Sequence, residues 1–142
     1  MRIKLDRGAY MPLRGHPDDG GLDLRNPHDC IVKSGKSATI DTKTHVEIPF
    51  GYVGLLKSRS SLNVNCSVTC EGVIDAGFTG SITVHLLNLG DEDVYLEKGD
   101  KIAQLVIVPV YIPDEIEVVD TVEELYGCLT ERGDKGFGST GR

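Results

Sequence analysis

The chain has 142 residues, 39% of them apolar, with 17 Gly, 6 Pro, no Trp and a formal net charge of −7. That length suits one domain with a mostly aliphatic core, burying roughly two-thirds of its unfolded surface. The acidic balance argues against a nucleic-acid partner, so an anionic ligand must be held locally by a few cations, backbone N–H groups or a metal ion. The four cysteines (Cys30, Cys66, Cys70, Cys128) do not make a staple pattern. Cys66 and Cys70, four apart, would share a face of a strand. They have no His or Cys companions at ligand spacing, which points to reduced thiols in a cytosol rather than zinc. The opening MRIKLDRGAY lacks an apolar stretch of secretory length, and no run approaches a membrane span. A soluble, cytoplasmic protein with no membrane partner is expected.

In chain order, residues 3–5 alternate as a first strand, and 8–21 are a loop rich in Gly, Pro and Asp. Leu22 and Leu24 flank Asp23 with period two, so Asp23 should point away from the apolar face they share. Short strands follow at 37–40, 45–48 and 52–56, with Pro49 and Gly51 marking a turn. The segment KSRSSLN (57–63) is too polar and serine-rich for core. It is open to two readings: a helix N-cap with solvated Ser and Arg, or an Arg fork and hydroxyls placed to hold phosphate oxygens.

The stretch 72–88, GVIDAGFTGSITVHLLN, reads as a β-hairpin: a short strand ending at Asp75, a Gly-containing turn, and a second strand from Ser81. Asp75 sits where a strand end can hold a carboxylate at an open cleft, or where an Asp caps its own turn. Phe78 places an aromatic ring on that turn. Further strands are expected at 94–96 and 102–108. The second carries Gln104 in an apolar run, where the amide needs a partner or a ligand. Residues 121–126 suit one short helical turn. Nine or ten strands at this spacing predict an all-β sandwich, jelly roll or barrel.

The last eleven residues, RGDKGFGSTGR, hold four Gly and almost nothing to bury. They predict a flexible arm, 132–142, following a β domain over 1–131. Their glycines, Ser139, Thr140 and Arg132 have the chemistry of a phosphate cradle, and Phe137 offers a ring for a flat base. No GK[ST] follows, so the arm is not a Walker loop.

Five of these islands, GGLDL (20–24), SRSSL (58–62), GVIDAGFTG (72–80), GDKIAQL (99–105) and RGDKGFGSTG (132–141), resemble the five motifs of the trimeric dUTPases, in order and over nearly the whole chain. The resemblance implies a distorted jelly-roll subunit in a homotrimer whose active sites are shared between three chains. It implies Mg²⁺-dependent hydrolysis of dUTP to dUMP and pyrophosphate. Under it Asp75 is the general base activating water against the α-phosphorus. Phe78 stands where Tyr is usual, its ring against the deoxyribose. Arg59, Ser60, Ser61 and Gln104 hold phosphate, and Gly72 and Ile74 belong to the substrate-binding strand. Asp23 helps hold the metal through water. Arg132, Phe137, Gly138, Ser139 and Thr140 form the closing arm, with Phe137 over uracil. Asn63 and Gly77 depart from the usual motif residues. The segment 63–71 matches least, which makes base recognition the least legible part.

Two rival functions are a dCTP deaminase, which shares an R-S-S segment but does not need the closing arm, and a nucleotide-switched regulatory protein. A regulatory partner, and a host cytoplasm as the location, would follow if the chain is viral.

Overall fold

A computed structural model of the chain describes residues 1–128, 130, 133 and 134. The chain divides into two units, Met1–Tyr111 and Ile112–Arg142. In the second, the described structure is a single 3-10 turn at Glu123–Leu125, inside the helical turn expected at 121–126. Among the described residues no helix is long and apolar enough to cross a membrane.

The first unit holds eleven strands and one helix: β1 (Ile3–Leu5), β2 (Gly21–Arg25), β3 (Cys30–Val32), β4 (Ser37–Asp41), β5 (Thr44–Val46), β6 (Tyr52–Lys57), α1 (Ser60–Cys66), β7 (Val68–Thr69), β8 (Glu71–Ile74), β9 (Thr83–Asn88), β10 (Val94–Leu96) and β11 (Lys101–Pro109). The β-rich expectation holds, and the ladders do not close into a barrel. They form a four-stranded sheet ordered β2-β11-β6-β8, a three-stranded sheet β4-β9-β7, and the pairs β1-β5 and β3-β10. Every pairing is antiparallel.

Alternation builds the core. In β9, Val84, Leu86 and Asn88 face in while Thr83, His85 and Leu87 face out. Leu24, Leu56 and Leu105 of the four-stranded sheet join Ile40, Val84 and Leu86 of the three-stranded one in a single cluster. Asn88 is buried among them with its amide satisfied: Nδ2 donates to the Val32 and Glu92 carbonyls, both at 2.8 Å, and Oδ1 accepts from Gly90 N–H at 2.9 Å. This ties the end of β9 to β3 and the 89–93 loop.

Two expectations are corrected. The hairpin at 72–88 does not exist: β8 pairs with β6, whereas β9 pairs with β4 and β7. The residues between them, 75–82, step from one sheet to the other. Ile82 is fully buried and anchors the step: its N–H donates to Thr44 O at 2.8 Å and its carbonyl accepts from Thr42 N–H at 3.0 Å. Second, Cys66 and Cys70 do not share a strand, because Cys66 ends α1 and Cys70 is buried in the connection between β7 and β8. The polar 57–63 segment, open between a helix start and a phosphate-holding fork, does start a helix: α1 begins at Ser60 with Arg59 at its cap position. That helix has no fully buried residue and no side-chain cap, but Leu62 and Cys66, four apart, pack against the core on one side.

Candidate active site

Asp23 lies on β2 opposite Gln104 of β11, with Lys57 of β6 on the far side of Gln104. It does point away from Leu22 and Leu24, yet that side is covered as well: Asp23 is only 8% exposed. Oδ1 accepts from the Arg59 guanidinium, and Oδ2 lies 2.7 Å from Lys101 Nζ. Burial pushes the Asp23 carboxyl up, but the hydrogen bonds from Lys101 and Arg59 and their charges outweigh it and hold it below the usual range. Arg59 is thereby aimed from the cap position of α1, where its backbone is extended (φ −76°, ψ 139°). Lys101 is a site residue that sequence reasoning overlooked. The available signal was its place three residues before Gln104 at the start of β11.

Gln104 is both tethered and presented. Its Nε2 donates to the Ser58 carbonyl at 3.2 Å, and its side chain lies across Gly21. A β-carbon at Gly21 would come within 2.5 Å of Gln104 Oε1, so glycine is what lets the amide lie there. Ser58 is committed to structure, accepting from Cys70 N–H at 2.8 Å and meeting Thr69 Oγ1 at 2.9 Å. The outcome is a polar cavity of about 410 Å³ lined by Asp23, Arg59, Ser60, Lys101 and Gln104 with the 15–21 loop. Arg59 and Lys101 also line a neighbouring cavity of about 400 Å³, together with Arg25 and Ser61. Across the two cavities Arg25, Arg59 and Lys101, the hydroxyls of Ser60 and Ser61 and the Gln104 amide gather among the carboxylates of Asp19, Asp23 and Asp100, and the donors are of the kind suited to phosphate oxygens.

The Asp75 turn stands apart from that set. Gly72 and Ile74 lie on β8: Gly72 lets the strand approach Leu56, and Ile74 turns its side chain into the core. Both therefore have backbone, rather than side chain, to offer a substrate. Asp75 is exposed at the strand's end, and its carbonyl accepts from Phe78 N–H at 3.2 Å, closing the turn. Gly77 adopts φ +86°, a conformation that favours glycine. The Phe78 ring is 47% exposed and lies over Gly80, where a β-carbon would stand 2.5 Å from Cζ. Phe78 lines a third cavity of about 550 Å³ with Ile3, Val46, Ile48 and Phe50. No residue of 75–80 lines either Arg59 cavity. Arg132, Phe137, Gly138, Ser139 and Thr140 lie outside the described residues.

The dUTPase family pattern matches residues 7–141. This chain belongs to the dUTPase family. It is 39% identical over 143 residues to the deoxyuridine 5'-triphosphate nucleotidohydrolase of Mycobacterium leprae, covering 98% of this chain and 92% of the relative. The Corynebacterium jeikeium enzyme of the same name is 38% identical, with 98% and 90% covered. Among solved structures, the dUTPase of Staphylococcus bacteriophage 80alpha with dUPNHPP superposes with a TM-score of 0.89 at 32% identity, covering 99% of this chain and 98% of that one. That phage protein is described as controlling transfer of virulence genes. A mutant dUTPase from phage phi11 of S. aureus, 29% identical with a TM-score of 0.78 over 85% of this chain and 97% of its own, is described with a coordinated structural Mg(II) ion. The fold is thus that of the dUTPase subunit, of the jelly-roll type.

Proposed function

We propose that this dUTPase hydrolyses dUTP to dUMP and pyrophosphate. The observation that carries the reading is the convergence of Arg59, Ser60, Lys101 and Gln104 on one polar cavity within a chain of this family. In an acidic protein this is where a triphosphate finds its cations. The Arg59 fork and Lys101 neutralise charge that grows on the leaving pyrophosphate, and Ser60, Ser61 and Gln104 orient the phosphate chain. Asp75 takes a proton from water as the water oxygen bonds to the α-phosphorus. The bond from that phosphorus to the bridging oxygen breaks, and its electron pair leaves with pyrophosphate. Phe78 packs against the deoxyribose and leaves no room for a 2′-hydroxyl, a job that needs the ring and not a phenol.

Asp75 and Phe78 lie outside the Arg59 cavities of their own chain, which supports active sites completed between copies in a homotrimer. The arm residues Arg132, Phe137, Gly138, Ser139 and Thr140 would close over the nucleotide and exclude water. Mg²⁺ fits as an ion carried by substrate and water. Both Asp23 oxygens already accept from cations, and no cluster of three metal-ligating side chains occurs among the described residues. Asp23 would hold it through water beside the triphosphate oxygens, and the ion would supply charge neutralisation when bound.

The test is pyrophosphate release from dUTP, dTTP, dCTP and UTP in parallel, with Asp75→Asn alongside. The expected result is release from dUTP alone and a fall in kcat on the order of 10²- to 10⁴-fold in the variant. Its affinity for the imido analogue should be unchanged. Equal rates for variant and parent would remove Asp75 from the mechanism, and ammonia from dCTP would replace the reading with deamination. A protein partner is a second reading, favoured by the likeness to the phage 80alpha protein. A chain serving only that role would bind nucleotide and release no pyrophosphate.

A further inference from the structure

His45 sits on β5 between two parts of the fold that the sequence keeps far apart. Its Nδ1 lies 2.8 Å from the Thr79 carbonyl, in the turn that carries Phe78. Its Nε2 lies 3.0 Å from Asp6 Oδ2, just beyond β1. Both partners are acceptors only. A neutral imidazole has one N–H and one lone pair, so it satisfies one of them and turns a lone pair on the other. Only the imidazolium donates to both.

The surroundings favour that form. Asp6 Oδ1 is 2.7 Å from Lys4 Nζ, which fixes the carboxylate, and the same ammonium stands 3.4 Å from His45 Nε2. Arg2 and Glu47 flank the site but bond to each other. Lys43 and Asp41 lie at the strand's other end, where Asp41 accepts from Lys43 N–H and Ser81 Oγ–H. Asp75 is the one ionisable group of the turn. The hydrogen bond to Asp6 and then that to Thr79 raise the His45 pKa, against opposition from desolvation and from Lys4. The His45 ring is 20% exposed, and it lines the Phe78 cavity with Thr79 and Gly77.

We infer that His45 is a positioning residue for sugar selection: as an imidazolium it ties the Thr79 carbonyl to Asp6, holding the turn that presents Phe78. The inference rests on the reading of Phe78 as the barrier to a 2′-hydroxyl. Loss of the proton breaks one of the two bonds, and the turn loosens as pH rises. Discrimination against UTP is then strongest in neutral to mildly acid solution and declines in alkali.

The experiment measures kcat/KM for dUTP and for UTP from about pH 6 to pH 9, in the full-length protein and in His45→Ala, and follows the His45 ring and the 77–80 amides by NMR. The ratio of the two constants cancels the titrations of Asp75 and of the triphosphate, which both substrates share. In the parent the ratio is expected to fall several-fold, with the midpoint of the ring's own titration. His45→Ala should show a low ratio that ignores pH. Asp6→Asn, which keeps the shape and removes the charge, should move the midpoint to lower pH, and it serves as the test if His45→Ala does not fold.

A parent ratio that stays flat while the ring titrates overturns the inference. That is the result if neutral His45 keeps its Nδ1–H on Thr79 and hands Nε2 to Lys4. If no pyrophosphate forms from dUTP at any pH, the proposed function fails by itself. The NMR arm then decides about His45: amides of 77–80 moving with the ring's midpoint support the tie, and amides that ignore it refute it.

Discussion

At Gly80 a missing side chain does the work. A β-carbon there would meet the Phe78 ring at 2.5 Å, well inside contact distance, so Gly80→Ala must displace the ring. Both Gly80→Ala and Phe78→Ala should raise kcat/KM for UTP relative to dUTP by about 10-fold or more, the usual worth of a steric contact in a pocket. Unchanged sugar selectivity in both would mean that another group blocks the 2′-hydroxyl. Asn88 is the counterpart in the core. Asn88→Leu would strand the Val32 and Glu92 carbonyls and the Gly90 N–H, and a loss of about 2–4 kcal/mol is expected in urea unfolding. A loss below about 0.5 kcal/mol would show that water replaces the amide there. Asp23, Arg59, Asp75 and Gln104 were all legible in the sequence as candidates for the proposed chemistry. Lys101 and His45 were not, because their meaning comes from partners at Asp23, Asp6 and Thr79, 34 to 78 positions away in sequence.

Among the elements, β9 was the plainest, its strict alternation turning Val84 and Leu86 inward. The helix α1 was the most obscure: a helix start at Ser60 was one of two open readings, and the only apolar signal for it is Leu62 and Cys66, four apart and partly buried. The supposed hairpin failed for a different reason. Strand existence is local, but pairing is decided by which apolar faces meet, and Ile82 is drawn beneath Thr42 and Thr44 before β9 begins. The arm was read from composition alone. Removing residues 132–142 should lower kcat/KM for dUTP by more than about 100-fold, the worth of water exclusion and phosphate contacts together. The melting temperature should shift by less than about 2 °C, because the segment has little apolar surface to bury. A large drop in melting temperature would mean that the arm packs as part of the fold.

For the molecule as a whole, acid stability follows from its carboxylates. Asp6 is held at about 2 by its bonds to His45 and Lys4, and Glu47 at about 2 by Arg2. Asp23, Asp41 and Glu71 are also held low, by Lys101 and Arg59, by Ser81 and Lys43, and by Lys57. Each folded pKa lies below its unfolded value, so the stability it contributes is present above about pH 4 and disappears as pH falls towards 2. His45 has the opposite sign: its contribution is complete below its unfolded pKa and is lost as pH rises through the folded one. The melting temperature should therefore hold steady between about pH 5 and 7 and fall below about pH 4, modestly for the exposed pairs that solvent screens and most through the buried Asp23. A melting temperature that rises on acidification would contradict these pairings. On a single chain, Phe50, Val64, Val73 and Leu89 are more than half exposed, apolar area that an assembly would cover. Sedimentation is expected to find a trimer, and a monomer at micromolar concentration would leave Asp75 without its phosphate-binding cations.

The step at 75–82 also joins the two residues that the proposed reaction needs. Asp75 is carried on the end of β8 and its carbonyl holds Phe78 N–H, while the next residue, Thr79, is moored through its carbonyl to His45 of β5. If Asp75 and Phe78 act as proposed, a change that shifts one end of this short turn shifts the other, and hydrolytic speed and choice of sugar are expected to vary together.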